Sequence, residues 1–212
     1  MTRAIVPFRL MVISDRRRMG ADPVATAAAV FGQTTSPCAF QWREKDLSPA
    51  ETRRAVARLQ LALPANCRLV LNAGAEAAPE IAAEFGLDLH LPEASALEPI
   101  RRAGGALTGR STHSLASARE AERQGANYIL FGPVFETESK QPFGPAQGLT
   151  RLAEVAAAVA IPVFAIGGVT AERVASCRKA GAAGVAVVGA VWAAVDGAAA
   201  IGRLLRIDSL ID

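Results

Sequence analysis

The sequence is poor in the residues that most metal, redox and disulfide sites require. Its 212 residues include two histidines and three cysteines. Cys38, Cys67 and Cys177 are odd in number, far apart in the chain and form no C-x-x-C pair, so they read as buried thiols of a reducing cytoplasm, not a disulfide framework. Two histidines without paired cysteines leave no zinc motif. The formal net charge is only +3, and the basic residues are scattered, which argues against a nucleic-acid surface. Long apolar runs are missing too. Val155–Val169 and Ala182–Val195 are interrupted by glycine, the first also by Pro162, and fall short of the roughly 20 apolar residues that span a bilayer. Met1-Thr-Arg-Ala-Ile-Val-Pro7 lacks an apolar core and a cleavage site, so no signal peptide is expected.

What is present is an apolar fraction of 51%, enough for a large core in one domain, and a regular alternation of elements. Short β-branched runs are expected as strands at Leu10–Ser14, Ala39–Trp42, Arg68–Leu71, Leu87–Leu91, Leu107–Gly109, Tyr128–Phe131, Val163–Ile166 and Gly184–Val188. Helices are expected to begin near Pro23, Pro49, Glu76, Ala96, Leu115, Gly148, Ala171 and Ala194. Ser48-Pro-Ala-Glu51 reads as a capping box with proline in the first turn, and Ala55, Val56 and Leu59 form the apolar stripe behind it. Ser114 is expected to cap the helix after the fifth strand. Eight strand–helix units in one chain predict an α/β fold, a single-domain (β/α)8 TIM barrel over residues 1–212 with its core at about 9–205. An open doubly wound sheet is the alternative, but Ser14-Asp-Arg-Arg-Arg-Met-Gly20 after the first strand carries no G-x-G-x-x-G. Residues from about Arg206 onward are expected to fray.

In such a barrel the site lies at the C-terminal strand ends. Those ends collect Gln41, Arg43 and Lys45 after the second strand, Asn72 after the third, His90 on the fourth, and Ser111 and His113 after the fifth. Thr137, Ser139 and Lys140 follow the sixth strand, Gly167 and Gly168 the seventh, Val188 and Gly189 the eighth. The two late glycine turns suit phosphate through backbone N–H groups, or are simply tight turns. Period-two spacing puts Gln41, Arg43 and Lys45 on one face and Glu44 on the other. That face either holds an anion or is a solvated strand end whose cations pair with Glu44. His113 is either a proton-transfer group or a structural bond at a helix start. His90, between Leu89 and Leu91, reads as a wall residue. Neither Asn72-Ala73-Gly74 nor Leu91-Pro-Glu-Ala-Ser95 has the paired carboxylates that hold magnesium; Glu93 is the only acid there.

Gln41-Trp-Arg-Glu-Lys45, Leu69-Val-Leu-Asn72, Gly109-Arg-Ser-Thr-His-Ser114, Gly132-Pro-Val-Phe-Glu-Thr-Glu-Ser-Lys140, Gly148-Leu149, Ile166-Gly-Gly168 and Gly184-Val-Ala-Val-Val-Gly189 together resemble the thiamine phosphate synthase superfamily, and within it the TenI-like thiazole tautomerases. The resemblance runs from about Leu10 to Val195. The synthase pattern has an Asn-Asp pair after the third strand and a further Asp beyond the fourth; Ala73 and Ser95 stand there instead. The resemblance implies aromatisation of a thiazole carboxylate phosphate by acid–base proton transfer, with His113 as the catalytic group and no metal or cofactor. It implies a phosphate held by Thr137, Ser139, Gly167, Gly168, Val188 and Gly189. Arg43, Lys45 and Lys140 correspond to pyrophosphate-holding positions of the synthase and could orient the substrate carboxylate, with Gln41, Asn72 and Ser111 beside them. One alternative is a magnesium-dependent thiamine phosphate synthase, with Glu93 as a ligand; another is a non-catalytic binder of a thiamine-related phosphate. The resemblance also implies a homodimer, with Phe31 and Trp192 on candidate helical faces.

Overall fold

The computed structural model describes residues 6–95, 106–137 and 145–209. Eight parallel strands close in chain order: β1 (Leu10–Ile13), β2 (Cys38–Trp42), β3 (Cys67–Asn72), β4 (Asp88–Leu91), β5 (Thr108–Thr112), β6 (Tyr128–Phe131), β7 (Val163–Ile166) and β8 (Gly184–Val187). β8 pairs back onto β1 through Val187 and Val12. The fold is therefore the expected barrel, and the open sheet is excluded. Both faces of each strand are covered, which is why the strands read as continuous apolar runs. Met11, Ile13, Ala39, Val70, Tyr128, Leu130, Phe164 and Ala186 fill the lumen with Phe8 below them. The alternate residues, such as Val12, Phe40, Leu71 and Ile129, pack under the helices.

The helices described are α1 (Pro23–Phe31), α2 (Pro49–Ala62), α3 (Ala78–Glu84), α4 (Leu115–Arg123), α5 (Gly148–Ala158), α6 (Ala171–Lys179), α7 (Gly189–Trp192) and α8 (Gly197–Ser209). The capping box of α2 forms as expected: Glu51 N–H donates to Ser48 Oγ at 3.3 Å, and Ser48 N–H donates to Glu51 Oε2 at 2.9 Å. Val56 and Leu59 are buried on its inner face. Ser114 caps α4 by accepting from Ser117 N at 3.0 Å.

Several expectations change. β5 runs on to Thr112, so Ser111 is a strand residue inside the barrel and not part of a turn. The last helical segment divides into α7 and α8, and α8 extends through Ser209 where fraying was expected. Phe31 and Trp192 cannot serve a dimer face: Phe31 is fully buried, and Trp192 Nε1 donates to Ile13 O at 2.7 Å within the protein's own core. Cys38 and Cys67, far apart in the chain, are register partners on β2 and β3, and all three thiols are free and buried. The helix expected near Ala96, and the site residues Ser139 and Lys140, lie outside the described residues. Among the described residues no helix is long and apolar enough to cross a membrane.

Candidate active site

The C-terminal end of the barrel has a polar half and an apolar half. Gln41, Asn72, His90 and Ser111 are lumen-side residues of β2 to β5, whereas Ile13, Leu130, Ile166 and Ala186 serve the remaining strands. The polar side chains are paired before any ligand arrives. Gln41 Nε2 donates to Met11 Sδ at 3.2 Å, Asn72 Nδ2 donates to Gln41 Oε1 at 2.9 Å, and Gly74 N–H donates to Asn72 Oδ1 at 3.0 Å. Gln41 and Asn72 are buried, so they brace the mouth from beneath. His90 Nε2 lies 2.9 Å from Ser111 Oγ. Burial, reinforced by the charge of Arg43, pushes the His90 pKa down to about 3, so this ring is neutral throughout the physiological range.

Arg43 and Lys45 are exposed at the rim beyond β2. Lys45 lies across the turn that follows β3: a Cβ on Gly74 would stand 2.8 Å from Lys45 Cε, 3.3 Å from its Nζ and 2.9 Å from Asn72 Oδ1. A side chain at Gly74 would crowd the end of Lys45 and Asn72 Oδ1. Partial burial, with the like charge of Arg43 added, lowers the Lys45 pKa. Two cations that disfavour each other in this way form a seat for an anion.

Glu44 pairs with neither cation, in line with its place on the opposite face and against the alternative in which it neutralises them. It is buried between β1 and β2, where it accepts from Ser14 Oγ at 2.6 Å and from Arg16 N–H at 3.1 Å, with Arg16 Nε 3.9 Å away. Ser14 Oγ in turn accepts from Arg43 N–H at 2.8 Å. This latch fastens the loop after β1 to the strand end that carries Arg43. Burial raises the Glu44 pKa, outweighing the hydrogen bonds from Ser14 and Arg16 that lower it. A carboxyl raised on folding stabilises the fold fully below its unfolded pKa, and loses that contribution as pH rises through its folded value. The Glu44→Gln variant should therefore compare better with wild type at about pH 7 than at about pH 4 in urea unfolding. An unchanged difference across that range would show that Glu44 titrates normally.

His113 stands just beyond β5. Its Nδ1 hydrogen-bonds to Gly132 O, and a carbonyl only accepts, so Nδ1 carries the proton. In the neutral ring Nε2 is then the basic nitrogen. The backbone N–H of His113 donates to Glu93 Oε1 at 3.0 Å and also contacts Ser117 Oγ at 3.2 Å. Arg110, which sequence reading passed over, is buried and clamps the same region: Nη2 donates to Glu93 O at 2.6 Å and to Ser95 O at 3.0 Å. Glu93 is thus committed to the entry of α4.

Across the mouth, Gly167 and Gly168 have φ of +94° and +63°. Cβ atoms on them would come within 2.6 Å of Pro133 Cα and of Glu136 O, respectively. Val134 N–H donates to Ile166 O at 2.8 Å and Phe135 N–H to Gly167 O at 3.0 Å, so these glycines are required for the crossing of the β6 loop whatever ligand binds. Gly189 is exposed; a Cβ there would have only Arg18 Nη1 nearby, at 4.0 Å. Arg18, which pairs with Asp15 at 3.1 Å, was missed from the sequence because three consecutive arginines give no sign of which one turns toward β8. Val188 and Thr137 are half-buried at the same end. At the opposite, N-terminal end a shallow cleft includes Arg68 and Asp88. Asp88 is engaged there by both Arg68 donors at 2.7 Å and by Leu107 N–H at 2.7 Å, a structural arrangement.

A closed parallel barrel with cations on one side of its mouth and glycine turns on the other defines the class, a (β/α)8 barrel protein. The profile of the thiamine monophosphate synthase family matches residues 10–191, and the chain belongs to that family. A thiamine-phosphate synthase of Anaeromyxobacter dehalogenans is 40% identical over 192 residues, covering 87% of this chain and 82% of that one. A putative thiamine-phosphate synthase of Geobacter sulfurreducens is 36% identical over 200 residues, covering 91% of each. The solved thiamine phosphate pyrophosphorylase of Pyrococcus furiosus superposes with a TM-score of 0.80 at 24% identity, covering 97% of both chains, which supports the fold. Membership places the chain in thiamine biosynthesis. By their names these relatives favour the transferase alternative over the tautomerase reading.

Proposed function

We propose that this chain binds a thiazole carboxylate phosphate and aromatises it by metal-free proton transfer. The observation that carries this reading is Lys45. Its ammonium lies on the Asn72–Gly74 turn, at the end of β3 where a carboxylate-held magnesium would need acids. Among the described residues no three acids, histidines or cysteines come together to hold a metal ion. The one acid at the β4 end, Glu93, already accepts the His113 N–H. The donor set therefore does not fit the magnesium of a synthase, whereas a lysine and an arginine fit an organic carboxylate.

His113 Nε2 is the base. It takes the proton from the ring carbon bearing the carboxylate, the freed electron pair shifts through the ring to the exocyclic carbon, and the imidazolium returns the proton there from Nε2. The imidazolium formed in the first step keeps its Nδ1–H on Gly132 O, which holds the ring in place while it is charged. Arg43 and Lys45 orient the carboxylate, and the turns at Gly167–Gly168 and Val188–Gly189, with Thr137 and Arg18, surround the phosphate. The second reading, thiamine phosphate synthase, is favoured by the names of the relatives.

The test is ultraviolet absorbance of the exocyclic thiazole carboxylate phosphate with EDTA present. Aromatisation under EDTA supports the proposal. No aromatisation, but thiamine phosphate formed from pyrimidine pyrophosphate and thiazole phosphate once Mg²⁺ is added, replaces it with the synthase. Binding without either reaction would make the protein a thiamine-phosphate binder.

A further inference from the structure

The fold uses only one of its two histidines as a base, and the other has an unusual position. His90 is 1% exposed and its ring stacks on Tyr128 at 5.8 Å. Of its two ring nitrogens, Nε2 meets Ser111 Oγ at 2.9 Å, while buried Nδ1 has no protein hydrogen-bond partner. Tyr128 Oη beside it has none either. The ring is neutral, so one nitrogen carries a proton and the other a lone pair. Two tautomers are available. With the proton on Nδ1, a buried N–H would be left unpaired, which folded proteins rarely tolerate. With the proton on Nε2, the N–H is satisfied by Ser111 and only a lone pair is left over, the smaller penalty.

We propose that His90 donates from Nε2 to Ser111 Oγ, and thereby frees the Ser111 proton to donate to the bound substrate. A serine hydroxyl has one proton and two lone pairs. With His90 occupying a lone pair, the serine proton is free to turn toward the mouth, where Ser111 is half-buried. An acceptor facing Ser111 can take that proton, which would be spent on His90 Nε2 if the bond ran the other way. Arg43 lies on the same side, close enough for its charge to act on His90. A guanidinium and a hydroxyl donor together select a carboxylate oxygen. The identity of that acceptor rests on the tautomerase reading above, but the direction of the His90–Ser111 bond does not. His90 acts through Ser111 and is a positioning residue.

The direction can be read by ¹⁵N NMR of the histidine-labelled wild-type protein, with the His90→Gln variant assigning the signals. The expected result is a His90 with a protonated Nε2 and a bare, pyridine-like Nδ1, unchanged between about pH 5 and pH 8. A protonated Nδ1 would overturn the proposal, since Ser111 would then donate inward. The substrate arm uses titration calorimetry with two probes, a thiazole phosphate with and without the ring carboxylate. Ser111→Ala should weaken the carboxylated probe by roughly 10- to 100-fold, the loss of a hydrogen bond to a charged group, and leave the other nearly unchanged. Equal weakening of both would refute a carboxylate partner. Failure of both probes to bind wild type would instead sink the proposed function, with the NMR result still deciding the donor.

Discussion

The His113→Ala variant should lose ~10²–10⁴-fold in the rate of aromatisation, the usual contribution of a positioned acid–base group. KM should change little, because the phosphate and carboxylate contacts assigned above come from other residues. The fold should survive the change. Glu93 and Ser117 bind the backbone N–H of residue 113, so the entry to α4 does not depend on the imidazole. What disappears is the ring and its bond to Gly132 O. His113→Gln provides the second test, since a side-chain amide can donate to that carbonyl but is not a base. Its stability should match wild type while its turnover stays as low as that of the alanine variant. Wild-type turnover in either variant, measured by the ultraviolet assay, would remove His113 from the chemistry and leave its role as a structural bond between β5 and β6.

A large loss of stability is expected from a single methyl group inside the barrel. A Cβ at Gly109 would stand 2.1 Å from Tyr128 Cζ and 2.5 Å from its Oη. Tyr128 is fully buried, in edge contact with Phe8 at 5.9 Å and Phe164 at 5.7 Å, so the ring has nowhere to go. Gly109→Ala should cost about 3 kcal/mol or more by overpacking, lowering Tm by roughly 6–12 °C for a domain of this size. Gly20→Ala is the control. Gly20 has φ of +81° with open space around it, so its alanine variant carries backbone strain alone, about 1–2 kcal/mol. Equal losses in a thermal melt would show that the Tyr128 ring yields to the added methyl and sets no constraint at Gly109. The same overpacking should disturb function, because the displaced ring is the one stacked on His90.

Much of the architecture was legible because it is written in local patterns. Strand runs buried on both sides, a proline-led capping box at Ser48–Glu51 and a serine cap at Ser114 each depend on neighbours a few residues apart. Boundaries were less legible where tertiary contacts override propensity. Arg110–Thr112 is polar and lies beyond the expected strand Leu107–Gly109, yet it completes β5 because β4 and β6 supply its hydrogen-bond partners. Trp192, the last residue of α7 before the break, is anchored on Ile13 O, 179 positions away in the chain.

The candidate site divides in the same way. The amino-acid sequence by itself determined a parallel α/β barrel, the strand ends that form its mouth, and the residue types gathered there: cations after β2, glycines after β7 and β8, two histidines, and no acid pair after β3. Only the tertiary structure decided which partners these groups take. Glu44 lies between Arg43 and Lys45 in the chain, but barrel closure gives it Ser14 and Arg16 from the adjacent strand's loop. His90 and His113 are the same residue type at neighbouring strand ends, yet one is buried against Ser111 and the other is oriented by Gly132 O. Cys38 and Cys67 become register partners although no spacing rule links them. The physical reason is common to all three. Periodicity tells which way a side chain points from its own backbone, while burial, charge and hydrogen bonding depend on the neighbouring strand, whose register exists only once the sheet has closed.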